Sequence, residues 1–241
     1  AIDEKTARQA LDLIEVEYEE LDPILTPEAA LEQDARLVHP ERKTNISHEI
    51  NVAHGDVDRA FATADLVHEA TYTTSPQYPG YLEPMVSVAN YGDDGRLHVW
   101  PSPQAVHFAR LRIAAALGLP VSLVRVVQMT TGGGFGGKIA EDDNQLVAGL
   151  LALKTRKPVR LLNNRLEDFQ ACCTSLPEKI WLKLGMTRDG MIIAKDLDIL
   201  AGCGAYSGFT SDVVTVSSMR SDNLYRNPNV RCRTRVAYTN T

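Results

Sequence analysis

The spacing of apolar residues divides the chain into segments with different expected structures. Ala7, Leu11 and Ile14 recur at three- and four-residue intervals, which predicts a helix near the N-terminus, and residues 14–18 follow it as a short strand. One helix and one strand cannot bury two faces without a partner. Residues 1–22 are therefore interpreted as the tail of a preceding small α+β domain.

Beyond this tail the pattern turns polar and then becomes regular again. Residues 23–55 contain three prolines and few periodic apolar positions, which indicates a connecting segment over a surface. A second domain is expected over residues 56–241. Its expected elements are a helix at 56–65, strands at 66–74, 85–91 and 96–100, a helix at 105–117, a strand at 124–128, a helix at 141–154, and strands at 159–162, 179–184 and 191–199.

The order of these elements predicts a mixed α+β and α/β fold. The turn sequences at 92–95 and 187–190 each supply the glycine that a tight hairpin connection needs. Between them, strand, glycine-rich loop, helix and strand alternate, which is typical of α/β structure. The chain stops at Thr241 without a closing helix, which we interpret as an incomplete domain.

Composition excludes several function classes. The 241 residues are 44% hydrophobic, enough for a core, and the net charge of −6 comes with scattered Lys and Arg, so nucleic acid is not an expected partner. No apolar run has the length of a membrane span and no signal peptide is recognisable, so a cytoplasmic location is expected. The four cysteines lack the spacing of a metal site or a disulfide framework, which favours reduced structural thiols.

The strongest chemical signal is the loop at residues 130–138, of sequence TTGGGFGGK. Five glycines between a strand and a helix allow bare backbone to approach a ligand, and their N–H groups can hold an anion. A nucleotide-binding Walker A loop would need Ser or Thr after Lys138, where Ile139 stands. A dinucleotide fingerprint matches only the bare GxGxxG pattern. An idle packing loop is the remaining alternative, although five glycines would destabilise it appreciably.

Several motifs together resemble a known family. The loop, the upstream SPQ ending at Gln104, the downstream KPVR at 157–160 and NRLED at 164–168, GAY at 204–206 and YRNPNV at 225–230 occur in the order found in one group of enzymes. This group comprises the large molybdopterin-binding subunits of the xanthine dehydrogenase, aldehyde oxidase and carbon monoxide dehydrogenase family. In these terms residues 1–22 resemble the end of a hammerhead-like domain, and residues 56–241 the first part of the molybdopterin-binding domain.

The resemblance implies roles for particular residues. Gln104 matches the glutamine whose amide hydrogen-bonds an oxygen ligand of molybdenum, and Phe135 matches the loop phenylalanine whose backbone lies beside the metal. Gln104 and Phe135 are therefore expected to face one cavity, with the neighbouring cofactor-binding positions Gly133, Gly134 and Gly136. No side chain of this chain is expected to bind the metal directly. Neutral donors suit such a site because they add no charge to the redox centre.

Two positions depart from the purine-oxidising members of the family. Ile139 stands where those members carry a substrate-binding glutamate, and Val216 aligns with a substrate-binding arginine. Both are expected to line an apolar substrate pocket, so xanthine is expected to be a poor substrate. Glu83, in a sequence similar to the family's Met-Glu-Pro, is expected to act as a supporting residue, with an exposed loop carboxylate as the alternative.

The resemblance also implies chemistry and partners that this chain does not carry alone. It implies hydroxylation of an aldehyde or N-heterocycle with water as the oxygen source, and a molybdenum-molybdopterin cofactor, for which the cytosine dinucleotide form is one candidate. Electrons are expected to pass to iron-sulfur and FAD groups on partner domains or subunits. The glutamate base is expected beyond Thr241, so no catalytic residue is assigned and the chain alone is expected to be inactive. A non-catalytic fragment, or a nucleotide-binding module using Lys138, are the alternatives.

Overall fold

The described part of this computed structural model, residues 1–139 and 143–241, contains two β-sheets with helices packed on them and an exposed N-terminal segment. The helices there are α1 (Glu4–Leu11), α2 (Pro27–Ala30), α3 (Val57–Ala62), α4 (Val106–Ala116), α5 (Asp143–Thr155), α6 (Arg165–Ala171) and α7 (Thr210–Arg220). The strands are β1 (Ile46–His54), β2 (Leu66–Thr74), β3 (Val86–Tyr91), β4 (Leu97–Pro101), β5 (Val124–Val126), β6 (Val159–Leu162), β7 (Glu178–Met186), β8 (Ile192–Gly202) and β9 (Val230–Ala237).

The larger sheet has five strands in the order β1-β9-β8-β7-β2. Only β8 and β9 run parallel; the other neighbours are antiparallel. The predicted hairpin between β7 and β8 is confirmed, and its turn places Gly190 at a φ of +87°, where glycine is favoured. On β9, buried Val230 and Cys232 alternate with the outward arginines Arg231 and Arg233, as the period of a strand requires.

The smaller sheet carries the elements on both sides of the glycine loop. Its order is β5-β4-β3-β6, and α4 and α5 pack on one face over a core that includes Leu97, Val99, Ile113 and Ala148. The β3–β4 hairpin is confirmed. Strand β5 is parallel to β4, and β6 is antiparallel to β3, so β5, α5 and β6 form a crossover that spans the hairpin. The expected mixed α+β and α/β class is confirmed.

The secondary structure differs from the expected elements in two places. The expected strand at 14–18 has no regular structure, because a strand needs a neighbour to pair with and residues 1–23 are all exposed. The expected connecting segment 23–55 contains strand β1, which pairs with β9 as a sheet edge. Its signal is a period-two pattern in which Ile50 and Val52 pack against the core while the adjacent Glu49 and Asn51 are polar.

The remaining predicted elements agree closely with the structure. Strands β2 and β6 have the predicted bounds, and α4 ends before Gly118 at a φ of +64°. The predicted start of α5 at residue 141 lies outside the described residues. Across the described chain, every helix is too short or too polar to cross a lipid bilayer.

Candidate cofactor site

Close packing and backbone conformation account for much of the glycine content of the loop. Gly133 and Gly136 adopt φ angles of +93° and +96°, which side-chain-bearing residues avoid. A Cβ on Gly134 would lie 2.5 Å from the Gln104 side chain, and one on Gly132 would lie 2.6 Å from the Cβ of Glu83. The loop therefore needs glycine where other segments pass against it.

Gln104 is joined to the loop by three hydrogen bonds. Its Oε1 accepts from the backbone N–H of Gly136 at 2.9 Å and of Lys138 at 3.1 Å, and its backbone N–H donates to the Lys138 carbonyl at 2.7 Å. Because two donors meet the amide oxygen, the Nε2 end is turned away from the loop. No protein acceptor for Nε2 is present among residues 1–139 and 143–241. Gln104 thus offers a neutral donor beside the glycine loop.

The loop lysine points into the protein. The Lys138 side chain is 2% exposed, and its Nζ donates to Glu83 Oε2 at 2.9 Å and to the Glu83 carbonyl at 2.8 Å. The same ammonium lies 4.5 Å from the centroid of the Tyr81 ring. Burial raises the pKa of the Tyr81 phenol, so this ring stays neutral. With its donors used inside the protein, Lys138 is not placed to bind a phosphate, and the nucleotide-binding alternative is not favoured.

Glu83 connects the other end of the loop. Its Oε2 also accepts from the Gly132 N–H at 2.9 Å, and its backbone N–H donates to the Gly132 carbonyl at 3.3 Å. The expectation that Glu83 supports the site agrees with these contacts. Its side chain is 30% exposed, so the alternative of a fully exposed loop carboxylate does not describe it.

Helix α6 holds the segment that carries Glu83. Asn164 and Glu167 form a reciprocal capping box at the helix start. The guanidinium of Arg165 donates to the carbonyls of Tyr81 at 3.0 Å and Leu82 at 2.5 Å. Asp168, fully buried, accepts from the Met85 N–H at 3.1 Å. The NRLED motif therefore acts on the glycine loop indirectly, through residues 81–85.

Phe135 lies where the loop meets a large cleft. Its φ of +50° is unusual for a residue with a side chain, and its ring is 75% exposed. The cleft has a volume of about 940 Å³, within the range of small-molecule sites. Its lining includes Phe135, Gly136 and Ile139 from the loop. The structure thus brings Gln104 to the same loop as Phe135, 31 positions later in the sequence.

The two predicted substrate-pocket residues have different outcomes. Ile139 lines the cleft, whereas Val216 is absent from its described lining. Helix α7 faces the cleft with its N-terminal end, so Val213 lines the cleft. Val216 lies about one turn further along the helix and does not. The role of both residues in substrate binding stays a prediction.

Other cleft residues were missed from the sequence. Tyr78, Phe209 and Val213 supply apolar walls, and Phe209 is held by an edge-on contact with Phe108 at 5.8 Å between centroids. Phe209 and Val213 are four residues apart at the start of α7, a spacing that could have marked one helix face. Glu178 also lines the cleft, and burial raises the pKa of its carboxyl.

The loop backbone fits an oxygen-rich, anionic group. The N–H groups of Gly133, Gly134 and Phe135 have no acceptor within the described part of the chain. Successive free amides of this kind form a concave donor site. Together with the Gln104 amide they supply several neutral donors, which can hold oxygen ligands without adding a charge.

Comparison with known sequences decides the family. The sequence model of the molybdopterin cofactor-binding domain matches residues 38–241. The chain belongs to this family. The expected family and the molybdenum-molybdopterin cofactor are thereby supported, and the described loop and Gln104 are residues that suit such a group. The match begins at residue 38, and the domain boundaries at 22/23 and 55/56 stay predictions.

Relatives of this molybdopterin-binding chain are parts of larger proteins. It is 38% identical to the nicotinate dehydrogenase large molybdopterin subunit of Eubacterium barkeri over 233 residues, which are 97% of this chain and 54% of that protein. It is 32% identical to the xanthine dehydrogenase molybdenum-binding subunit of Escherichia coli O157:H7, covering 100% and 32%. The aldehyde oxidoreductase of Desulfovibrio gigas superposes with a TM-score of 0.90 at 29% identity, covering 99% and 26%. The chain thus spans about half or less of these relatives.

Proposed function

We propose that this chain is part of a molybdenum hydroxylase that oxidises an aldehyde or an N-heterocycle with water as the oxygen source. The observation that carries the proposal is the donor set around the loop: the outward Nε2 of Gln104 and the free N–H groups of residues 133–135. Phe135, the last residue of this set, also lines the cleft, whose lining mixes apolar and polar side chains. Two relatives support the substrate classes, since one is named for nicotinate and another for aldehydes.

The residues of this chain would bind and orient rather than perform the redox step. When bound, the molybdenum-molybdopterin group supplies the redox chemistry. Gly133, Gly134 and Phe135 would hold it through backbone N–H groups, and Gln104 through its amide. The walls from Tyr78 and Phe209 would exclude water around the substrate.

The proposal extends to partners that lie outside this chain. Electrons would leave through iron-sulfur and flavin groups on other domains or subunits, since four cysteines at positions 172, 173, 203 and 232 have no cluster-binding spacing. The pterin would be in the cytosine dinucleotide form. The cysteines form no disulfide framework, which suits a reducing compartment, so a cytoplasmic location is part of the proposal.

Oxygen labelling tests this proposal. The complete enzyme that contains this chain is assayed with aldehydes and N-heterocycles, an artificial electron acceptor and H₂¹⁸O. The expected product carries ¹⁸O from water. The 241-residue chain assayed alone is expected to give no turnover, because the family's glutamate base is expected outside it. Product oxygen that comes from O₂ would contradict water as the oxygen source. Turnover by the chain alone would contradict the expectation that the base lies outside it.

A further inference from the structure

Glu83 and Lys138 form an ion pair that contacts the glycine loop at both ends, with Lys138 buried and Glu83 partly buried. One carboxylate oxygen, Glu83 Oε2, accepts from the Gly132 N–H and from the Lys138 ammonium, both at 2.9 Å. The Lys138 backbone is held separately, by Gln104. Gly132, the first glycine of the loop, and Lys138, which follows the last one, are thus tied to one side chain, and residues 133–137 lie between them.

We propose that the Glu83–Lys138 pair is a positioning device that sets the loop conformation and, through it, the orientation of the Gln104 amide. The consequence for cofactor binding rests on the proposed function. Lys138 is a positioning residue in this account, because its Nζ contacts Glu83 and the Tyr81 ring and is turned away from the cleft.

The physical reason for such a device is the flexibility of the loop. Five glycines leave the unfolded and locally open loop with many conformations, so ordering it has a large entropic cost. Phe135 in addition adopts a left-handed backbone, which persists only where surrounding contacts fix it. A charge-assisted hydrogen bond to each end restricts the loop more strongly than neutral contacts would.

A second role for the pair has to be distinguished from positioning. A buried ion pair also balances its own charges, and removing one partner destabilises a protein regardless of any effect on a nearby site. Loss of stability in a single variant would therefore prove nothing about the loop. A neutral double variant separates the two roles, because it removes the ion pair without leaving an unpaired charge.

The experiment compares Glu83→Gln, Lys138→Met and the double variant. In the 241-residue chain, melting temperature and amide hydrogen exchange of peptides covering residues 130–139 are measured without cofactor. The single variants are expected to melt lower and the double variant to recover most of the loss. Loop exchange in the double variant is expected to stay about tenfold faster than in the unmodified chain. Exchange in the double variant at the unmodified rate would overturn the proposal.

A matched pair on the larger sheet provides the control. Arg231 and Asp196 form an ion pair at 2.6 Å, with Asp196 buried, in a groove that none of the loop residues lines. The double variant Arg231→Gln with Asp196→Asn is expected to leave loop exchange unchanged. If it accelerates loop exchange as much as the Glu83/Lys138 double variant, general destabilisation explains the result and the proposal fails.

The complete enzyme then links the loop to its proposed use. The double variant is expected to lower kcat about tenfold or more with a smaller change in KM, as supporting residues of a metal site do. Unchanged kcat with accelerated loop exchange would overturn the link to Gln104. If the enzyme holds no molybdenum while loop exchange still accelerates, the proposed function fails and the loop role stands.

Discussion

Gln104 is the residue at which the sequence motif and the geometry meet most directly. Its amide oxygen is used by two loop N–H groups, so the amide N–H₂ is the end left for a ligand. A glutamate at this position could accept the same two hydrogen bonds, but it would present an ionised oxygen in place of the donor. The two functions of the side chain can therefore be separated by substitution.

Gln104→Glu is expected to keep the hydrogen bonds to the loop but lose activity. Gln104→Ala is expected to lose both the loop hydrogen bonds and the activity. In the complete enzyme we expect kcat/KM to fall by about 10- to 100-fold in the Glu variant. The reason is that a neutral N–H donor is replaced by a carboxylate, which has the same negative charge as the oxygen-rich cofactor it would face. Hydrogen exchange of loop peptides should remain slow in Gln104→Glu and become fast in Gln104→Ala. Full activity in the Glu variant would show that Nε2 does not act as a donor to the cofactor.

Glu178 is expected to make stability depend on pH. Burial raises the pKa of its carboxyl above the ordinary 4.5, so the folded state holds the proton to higher pH than the unfolded state. The stability that the protonated carboxyl contributes is therefore present at low pH and is lost as pH rises through the raised pKa of Glu178 in the folded state. Glu178→Gln should melt higher than the unmodified chain at pH 7 and show no such gain near pH 3. A melting difference independent of pH would contradict this.

Contacts between residues could be predicted from the sequence only where both contacting segments matched a family motif. The meeting of Gln104 and the glycine loop followed from matching two motifs, although 31 positions separate Gln104 from Phe135. The inward direction of Lys138 could not be predicted, because nothing local to the loop shows that Glu83 lies beneath it. Val216 was placed by alignment alone, and a helix carries it one turn away from the cleft.

Helix α6 shows how a distant element determines the geometry of the site. Asp168 has no exposed surface, accepts from the Met85 N–H and lies 3.5 Å from the Arg165 guanidinium. Arg165 in turn binds the carbonyls just before Glu83. Through Arg165 and Asp168 the helix therefore fixes residues 81–85, which in turn support the loop. These two side chains do not contact the loop directly.

Asp168→Ala should destabilise the 241-residue chain by about 3 kcal/mol, because it leaves a buried N–H without its acceptor and weakens an ion pair. Urea unfolding followed by circular dichroism measures this. Asp34→Ala, at an exposed position, serves as the control and should change stability by less than about 0.5 kcal/mol. Equal effects of the two substitutions would show that Asp168 does not anchor this segment.

Among the secondary-structure elements, those that depend on contacts between residues close in sequence were predicted correctly. Strands β2 and β6, the two hairpins and helix α4 followed from apolar spacing and turn residues. Strand β1 was missed because its polar and histidine-containing pattern becomes a strand only by pairing with β9, some 180 residues later in the chain. The expected strand at 14–18 failed for the opposite reason, since the described chain offers it no pairing partner.

The whole molecule places a cleft with apolar and polar lining residues beside the glycine loop, which bears on substrate choice. The family resemblance implies that Ile139 replaces a substrate-binding glutamate of purine-oxidising members, and the apolar surfaces of Tyr78, Phe209 and Val213 also line the cleft. Polar groups of a purine that face these four side chains would be left unpaired, at a cost of a few kcal/mol, roughly. A relative named for xanthine dehydrogenase provides the competing expectation.

Steady-state kinetics of the complete enzyme distinguish these expectations. We expect kcat/KM for xanthine to be lower than for an aldehyde or a simple N-heterocycle by about tenfold or more. Ile139→Glu should raise the relative rate with xanthine, because it restores a polar partner at this wall. A higher kcat/KM for xanthine than for the other substrates would contradict the apolar-pocket account.

The loop and Gln104 are proposed above all to hold a molybdenum-molybdopterin group in the complete protein. Metal and pterin analysis of the complete enzyme purified from its source tests this most directly. We expect about one molybdenum and one pterin per copy of this chain, both reduced severalfold in Gln104→Ala. An enzyme that is folded, contains this chain and carries neither molybdenum nor pterin would contradict the claim.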